Sequence, residues 1–292
     1  MPLVMVKLGG SILTDKKHFS SNSSYADFLH YSQNFYHSHQ AINSKAKEMR
    51  YLIQKYAYIS FGIVHGVGPF GHFVVKKHRE MPFGVSFAYG MERFLHEIVK
   101  KSFTQEGVSI RTVDPFSRIF HDRNQEYRYD EFLYEFGMSW KRKKTPITYG
   151  CRIISFSEEG EPDIIEGYKG KIGSRSGQKI YTTGKYKPLS GDLMCLWLAK
   201  EFNADKIIMA TDVEGVVGED GQIIRRITPY EETHLKKIGQ AGVDVTGGMQ
   251  NKVDILREAA KNGIEGNIVD GRVEGNIEKA MNGLEVGTLF SI

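Results

Sequence analysis

The sequence has 292 residues, of which 40% are apolar and 25% are charged, with a formal net charge of +4. This length and apolar content suffice for a large core in one big domain or two lobes. The mild positive charge suits small anionic substrates and does not require a nucleic-acid partner. No apolar run reaches about 18 residues and no signal peptide is evident, so we expect a cytoplasmic protein without a membrane span. The two cysteines, Cys151 and Cys195, form no metal-binding or disulfide pattern, and we expect both in the core.

The first strand and the turn after it indicate an anion site. Residues 3–8 are mostly apolar and predict a short buried strand that runs into Gly9, Gly10 and Ser11. Paired glycines allow backbone N–H groups to approach a ligand closely, and successive N–H groups bind anions. Lys7 lies at the end of the strand, and Lys16 and Lys17 follow the turn. This pattern favours a phosphate site, and the alternative is a tight turn without a ligand.

A second glycine loop follows the predicted strand 59–65. It contains Gly66, Gly68 and Gly71 in a G-x-G-x-x-G spacing. The spacing resembles a dinucleotide fingerprint, which belongs on a first strand, whereas this loop follows the second. His72 opens a predicted helix over 72–79, where it would either contact a phosphate or lie at the surface near the helix cap.

The remaining elements alternate between helix and strand. In the first half the pattern predicts a helix over 25–56 with an imperfect register that would allow a break, and a second helix over 88–105. It also predicts strands over 108–113 and 145–149, a charged helix and linker over 118–144, and a β-hairpin excursion or mobile flap over 158–188. The basic run 141–144 ends this charged helix and linker, and a nucleic-acid-binding surface is the distant alternative for it. In the second half it predicts helices over 193–202, 230–238, 249–261 and 276–281, and strands over 206–210, 264–269 and 287–291. This alternation predicts an α/β fold, with a mostly parallel central sheet sandwiched by helices in three layers.

Five motifs, taken in order, resemble those of the amino acid kinase superfamily. They are Lys7–Ser11 with Lys16, His65–His72, Ser190–Asp192, Thr211–Gly215, and Asp244–Met249 with Lys252. Within the superfamily the likeness is strongest to the isopentenyl phosphate kinase branch, because a histidine at the position of His72 contacts the substrate phosphate there. The resemblance implies a single amino acid kinase-like domain over 1–292. Its acceptor-binding lobe would span about 1–188 and its nucleotide-binding lobe about 189–292.

The same resemblance implies an ATP-dependent kinase that converts isopentenyl phosphate to isopentenyl diphosphate with Mg²⁺. It also implies a homodimer. From the mild charge and the lack of a long apolar run we expect no nucleic-acid partner and no membrane partner. By this resemblance Lys7, Lys16 and Asp192 are catalytic, with Asp192 holding the lysines in place. The implied acceptor-binding residues are Gly10, Gly66, Gly68, Gly71, His72 and Gly150. The implied nucleotide-binding residues are Lys7, Gly9, Gly10, Ser11, Thr211, Asp212, Gly215, Gly247 and Lys252. No dedicated metal ligand is predicted.

Several alternatives stay open at this point. Lys17 could take the place of Lys16, Asp192 could be only a helix cap, and Lys252 could be a surface residue. The chain departs from the family pattern at Val67 and Pro69, in Tyr149-Gly150-Cys151 where the family has His-Gly-Asp, and in the length of the 158–188 excursion. A kinase for another small phosphate, phosphonate, carboxylate or nucleoside monophosphate is therefore one alternative, and a non-catalytic nucleotide-binding regulator is another. The helix that carries Phe94 is the expected apolar wall for the acceptor.

Overall fold

The computed structural model describes residues 1–14, 23–74, 84–116, 118–121, 127–155, 185–231 and 248–292. The strands are β1 (Leu3–Leu8), β2 (Ser60–His65), β3 (Ile110–Thr112), β4 (Phe120–His121), β5 (Tyr127–Arg128), β6 (Thr145–Tyr149), β7 (Cys151–Ser155), β8 (Lys185–Leu189), β9 (Lys206–Thr211), β10 (Arg226–Ile227), β11 (Glu265–Asp270) and β12 (Thr288–Phe290). The helices are α1 (Gly10–Leu13), α2 (Tyr25–His37), α3 (Gln40–Lys55), α4 (Gly84–Gln105), α5 (Asp130–Lys141), α6 (Gly191–Glu201), α7 (Gly248–Lys261) and α8 (Asn276–Met281).

The centre of the molecule is an eight-stranded sheet in the order β10-β12-β11-β9-β1-β2-β6-β3. Its neighbouring strands are parallel except for β11 and β12, which run antiparallel. Every residue of β1 and of β9 is buried, as expected for strands that helices cover on both faces. The predicted α/β class with a mostly parallel sheet is confirmed. Strands from both halves of the chain join this one sheet, and the division into two lobes near residue 188 stays a prediction.

A second sheet of four short strands, in the order β5-β4-β7-β8, stands beside the first. Its β7 and β8 pair antiparallel, with Cys151 opposite Leu189. β7 ends shortly before the excursion predicted over 158–188 and β8 forms its last residues, and residues 156–184 lie outside the described part of the chain. Both cysteines are free and buried, as expected.

Several helix boundaries differ from the predicted ones. The predicted helix over 25–56 is broken at Ser38 and His39, between α2 and α3. Ser24 starts α2 with a capping box, because its side chain and that of Asp27 satisfy each other's backbone N–H groups. α4 begins at Gly84, four residues before the prediction. The region predicted as a charged helix and linker contains β4, β5 and α5, and it ends in an exposed turn at Arg142–Lys144.

Two predicted helices fall largely outside the described residues, namely 72–79 and 230–238. None of the helices in the described part of the chain is long and apolar enough to cross a membrane.

Candidate active site

The carboxyl ends of four neighbouring parallel strands meet at one edge of the large sheet. In the strand register Leu8 lies beside His65 and Ala210, and His65 lies beside Tyr149. This edge is where α/β sheets bind their ligands. The glycines that follow directly after β1, β2 and β6 are Gly9, Gly66 and Gly150.

The two glycine loops after β1 and β2 touch each other through their backbones. A Cβ atom on Gly10 would lie 2.4 Å from the amide nitrogen of Gly68, and a Cβ on Gly66 would lie 2.4 Å from the amide nitrogen of Gly10. Any side chain at either position would push the loops apart. Among the described residues, the N–H groups of Val67 and Gly68 donate to no backbone carbonyl. The loops therefore present close-packed amide donors of the kind that bind phosphate oxygens.

Val67 and Pro69 fit this loop without strain. Val67 has φ −100° and ψ −8°, which any residue adopts, and Pro69 lies in the first turn of a 3₁₀ helix that spans Gly68–Phe70. Gly68 has φ +51°, a left-handed conformation that favours glycine. The Val67 side chain fills the space over Gly71, because a Cβ there would lie 2.3 Å from Val67 Cγ2. Val67 and Pro69, the two departures from the family pattern, thus adopt backbone conformations that are open to them.

A buried carboxylate holds two ammonium groups near these loops. Asp192 is 3% exposed and Lys7 is 6% exposed. The Lys7 Nζ lies 2.6 Å from Asp192 Oδ1, and the Lys252 Nζ lies 2.7 Å from Asp192 Oδ2. β1 supplies the first lysine, the first turn of α6 the carboxylate, and the first turns of α7 the second lysine. Asp192 thus joins three elements that are distant in the sequence.

Ser190, and not Asp192, caps α6. The Ser190 side chain accepts a hydrogen bond from the Asp192 N–H at 3.2 Å, so the interpretation of Asp192 as the cap is wrong. The interpretation of Lys252 as a surface residue is also wrong, because its ammonium group is ion-paired and its side chain is 17% exposed. Asp192 was expected to hold Lys7 and Lys16. The structure pairs it with Lys7 and Lys252, and Lys16 and Lys17 lie outside the described residues.

Burial and charge act in opposite directions on this cluster. Burial by itself would raise the pKa of the Asp192 carboxyl, but Lys7 and Lys252 hold that pKa well below its usual range. Burial lowers the pKa of the Lys7 ammonium, and the neighbouring carboxylate opposes this effect. The two lysines strongly favour ionisation of Asp192, and the Asp192 carboxylate in turn favours the charged form of Lys7. With both lysines protonated, the cluster would carry one net positive charge.

The start of α6 packs directly onto the ends of β2 and β6. The Gly150 N–H donates to the His65 carbonyl at 3.0 Å, and a Cβ on Gly150 would lie 2.8 Å from the Gly191 nitrogen. Only a residue without a side chain allows this approach. Gly150 therefore helps to place Asp192, which is the next residue after Gly191.

Other predicted site residues lie around the same edge. The Gly9 N–H donates to the Ala210 carbonyl at 2.8 Å, and Ser11 is half-buried in the short helix α1. His72 is half-buried directly after Gly71. The Thr211 hydroxyl accepts a hydrogen bond from the Val213 N–H at 3.2 Å, which shapes the turn after β9.

For two of the predicted nucleotide-binding residues, Asp212 and Gly215, no contact among the described residues indicates that role. Asp212 is half-buried, and its charge raises the pKa of the nearby Arg272 guanidinium, although Asp270 has the larger effect. Gly215 is required by packing, because a Cβ there would lie 2.8 Å from Thr288 Oγ1. Gly247 lies outside the described residues. Their roles toward a nucleotide stay predictions.

The structure also contains a buried polar network to which the sequence patterns assign no role. The His65 Nε2 lies 2.9 Å from the His96 Nδ1, and Tyr149 stacks on both rings. Burial is the main reason that the pKa of each imidazole falls to about 3, so both are neutral near pH 7. The Tyr149 hydroxyl donates to Asp114 at 3.0 Å. A buried strand that ends in histidine was the only signal of this network in the sequence.

A known protein family matches most of the sequence. The model of the Amino acid kinase family matches residues 2–270. The chain belongs to the amino acid kinase family. This membership and its relatives identify the protein as an ATP-dependent kinase.

Within this family the chain is similar to proteins named isopentenyl phosphate kinase. The one from Methanocaldococcus jannaschii is 28% identical, with 98% of this chain and 97% of the relative covered. The one from Methanothermobacter thermautotrophicus is 25% identical over 78% of this chain and 82% of its own length. A crystal structure described as isopentenyl phosphate kinase matches with a TM-score of 0.65 and 20% identity, over 99% of this chain and all of the other. This last likeness shows the shared amino acid kinase fold.

Proposed function

We propose that the protein transfers the terminal phosphoryl group of ATP to isopentenyl phosphate, giving isopentenyl diphosphate and ADP. Two relatives with that name support this acceptor, and one of them matches nearly the full length of both chains. The observation that carries the proposal is the Asp192 carboxylate with its two lysines, close to two interlocked glycine loops. A site of this charge and shape suits two phosphates that must be brought together.

The chemistry requires positioning and charge neutralisation more than acid–base catalysis. An oxygen of the acceptor phosphate forms a bond to the terminal phosphorus of ATP, and the bond from that phosphorus to the bridging oxygen breaks. The electron pair leaves with ADP. Because the acceptor oxygen is already anionic, no general base is needed. The transition state carries charge on the equatorial oxygens, which cations and N–H donors stabilise.

Lys7 and Lys252 provide two cations at this edge. In our proposal Lys7 contacts the transferring phosphoryl group and Lys252 the ATP phosphates. Asp192 restricts where both ammonium groups can lie, since each is within 2.7 Å of its carboxylate oxygens. Lys16 would add a third cation between the phosphates. This arrangement lowers the barrier because it is in place before the substrates bind.

The acceptor phosphate lies, in our proposal, against the second glycine loop. Gly66, Gly68 and Gly71 allow its backbone to approach the phosphate, and His72 would contact a phosphate oxygen. Gly10 belongs to both the acceptor side and the nucleotide side of the site, because its nitrogen lies at the contact between the loops. Val67 takes part through its N–H group.

The ATP phosphates lie, in our proposal, along the first loop, with the rest of the nucleotide toward the turn after β9. The residues concerned are Gly9, Gly10, Ser11, Thr211, Asp212, Gly215, Gly247 and Lys252. Mg²⁺ would arrive with ATP, since proteins commonly bind it through substrate phosphates. Among the described residues, no three His, Cys, Asp or Glu side chains group as ligands for a metal ion. When bound, Mg²⁺ would neutralise phosphate charge.

An aromatic cluster next to the second glycine loop suits the apolar tail of the acceptor. Phe70 of the loop is fully buried, and its ring centroid lies 5.2 Å from that of Phe35, 5.6 Å from that of Phe28 and 5.8 Å from that of Phe94. Phe94 is only half-buried. We propose that its remaining exposed face contacts the isoprenoid tail.

The direct test is an acceptor panel with ATP and Mg²⁺. Turnover of isopentenyl phosphate should exceed that of other small phosphates, phosphonates, carboxylates and nucleoside monophosphates. A larger kcat/KM for another acceptor in the panel would contradict the proposed substrate. ATP binding without transfer to any acceptor would instead support the regulatory alternative.

Three variants link the activity to the proposed site. Lys7→Ala and Lys252→Met should each lower kcat with isopentenyl phosphate by about a hundredfold or more, as expected when a cation at a phosphoryl group is lost. Lys261→Met is the matched control for the second variant, because Lys261 is exposed at the other end of the same helix. Equal activity of Lys252→Met and Lys261→Met would contradict the role of Lys252.

A further inference from the structure

Two buried histidines connect the acceptor loop to α4. His65 ends β2 and is fully buried, and His96 on α4 is 5% exposed. The Nε2 atom of His65 lies 2.9 Å from the Nδ1 atom of His96. The other ring nitrogen of His65, Nδ1, lies 3.1 Å from the carbonyl oxygen of Gly66.

The contacts determine which nitrogen carries each proton. The Gly66 carbonyl can only accept a hydrogen bond, so the His65 Nδ1 must carry a proton. Both imidazoles are neutral, because burial lowers the pKa of each to about 3. The His65 Nε2 is therefore an acceptor, and the proton between the rings belongs to the His96 Nδ1. The hydrogen bonds then run in one direction, from His96 through His65 to Gly66.

The remaining ring nitrogen, His96 Nε2, is consistent with this assignment, and its burial costs free energy. With its proton on Nδ1, His96 has a bare acceptor at Nε2, and this buried atom has no hydrogen-bond partner among the described residues. An unmet buried acceptor costs about 1–3 kcal/mol.

The end of this chain of hydrogen bonds is one peptide group of the acceptor loop. All described peptide bonds are trans, so the Gly66 carbonyl and the Val67 N–H point in opposite directions. The hydrogen bond from His65 to that carbonyl fixes the plane of the peptide. It also polarises the peptide, which makes the N–H a stronger donor. The Val67 N–H donates to no backbone carbonyl among the described residues.

Tyr149 keeps the two imidazoles in place. Its ring lies 4.5 Å from that of His96 and 5.6 Å from that of His65, stacked on both. The Tyr149 and Tyr89 hydroxyls each donate to an oxygen of Asp114 at 3.0 Å. The tyrosine therefore cannot rotate away without breaking a hydrogen bond.

We propose that His65 and His96 are positioning residues for the acceptor phosphate. They position it by holding the Gly66–Val67 peptide with its N–H toward that phosphate. This inference rests on the proposed function for the location of the acceptor. Neither histidine touches the substrate. Each acts through the one peptide group of the loop.

The first test measures the tautomers directly. With ¹⁵N-labelled histidine, NMR should show both His65 and His96 protonated at Nδ1 near pH 7, whereas free neutral histidine prefers protonation at Nε2. His96→Asn assigns the signals and retains an N–H at the position of Nδ1. Protonation of His65 at Nε2 would overturn the inference whatever the substrate is.

The second test uses inorganic phosphate as the probe and the Val67 amide signal as the readout. His96→Leu, which loses the donor, should weaken phosphate binding about tenfold, equivalent to about 1.4 kcal/mol. His96→Asn should stay within about threefold of the wild type. Ser102→Ala, at another buried polar position on α4, should bind as the wild type does. Equal binding by His96→Leu and His96→Asn would overturn the inference.

The same variants separate this inference from the proposed function. In steady-state kinetics with the acceptor chosen by the panel, His96→Leu should raise KM for the acceptor and leave KM for ATP within about twofold. A purely structural role would change both KM values and would not be rescued by asparagine. If the phosphate titration behaves as expected while isopentenyl phosphate is not turned over, the proposed acceptor fails and the positioning role stands.

Discussion

At the scale of single residues, Asp192 determines how much positive charge the site presents. A buried carboxylate between two ammonium groups is stable only while all three are present, because a buried charge without a partner is costly. Lys7 depends on it most, being nearly fully buried itself. The same carboxylate thus contributes to stability and places the cations that the proposed chemistry needs.

Asp192→Asn should therefore lower both stability and activity. Removing one partner of a buried ion pair costs about 3–5 kcal/mol, and we expect a loss of that size in the free energy of unfolding measured with urea. kcat should fall by about a hundredfold or more, because both lysines lose their fixed position.

The matched control is Glu258→Gln. Glu258 also pairs with a lysine, Lys200, at 3.2 Å, but both side chains are more than 40% exposed. Exposed pairs contribute about 0–1 kcal/mol, so this variant should unfold and turn over nearly as the wild type does. Similar losses in both variants would contradict the special role of Asp192.

At the scale of elements, two loops and one helix shape the proposed acceptor side. The loops after β1 and β2 contact each other at glycines, and the aromatic residue Phe70 fastens the second loop to the helices beside it. Val67 and Pro69 show that this loop requires glycine only where the backbone demands it. Gly68 is such a position.

Gly68→Ala should weaken acceptor binding more than ATP binding. Its φ of +51° disfavours a side chain, and the new Cβ would lie 2.2 Å from Thr14 Oγ1. We expect a loss of about 1–2 kcal/mol in stability and a KM for the acceptor raised at least tenfold. Gly90→Ala is the control, because a Cβ there meets nothing within 4 Å on an exposed face of α4. That variant should be slightly more stable than the wild type.

Phe94→Ala should weaken long-chain acceptors more than ATP. The variant removes the proposed contact with the tail and part of the packing on Phe70. Phe202→Ala serves as the comparison, since Phe202 is also half-buried but packs on Trp140 and Phe136 instead. Both should lose about 3 kcal/mol of stability, and only the first should raise KM for the acceptor. Steady-state kinetics in which Phe94→Ala raises both KM values equally would count against an acceptor wall.

At the scale of the whole molecule, one sheet brings together charges and rings from distant parts of the chain. Its burial of His65 and His96 makes stability depend on pH. In the folded protein the pKa of each histidine is about 3, whereas in the unfolded chain it is about 6.5. Below pH 6.5 the unfolded chain therefore binds more protons than the folded protein, and stability falls as the pH is lowered toward 3.

Urea unfolding at pH 7.5, 6.0 and 5.0 should show this loss. The slope should approach about 1.4 kcal/mol per pH unit for each histidine in the lower part of this range. His96→Asn removes one titrating group, so the slope of unfolding free energy against pH should fall by the contribution of one histidine. Asp192, with its lowered pKa, adds a loss of the same sign only below about pH 4. A stability that stays constant between pH 7.5 and 5.0 would contradict the neutral, buried state of the pair.

The sequence by itself determined the type and order of most elements and the kind of site. Apolar runs such as residues 3–8 predict buried strands because their local pattern reflects burial on both faces. Paired glycines at strand ends predict close backbone approach for the same local reason. The α/β class and the mostly parallel sheet followed from these patterns, the family resemblance followed from the five motifs in their order, and all three are confirmed.

Only the tertiary structure decided which side chains meet. Asp192 pairs with Lys252, 60 positions away, and His65 with His96, 31 positions away. The strand register and the packing of α4, α6 and α7 on the sheet set these contacts, and neither leaves a periodic signal in the sequence. Local patterns report what each segment buries, whereas contacts between segments depend on how the whole chain packs.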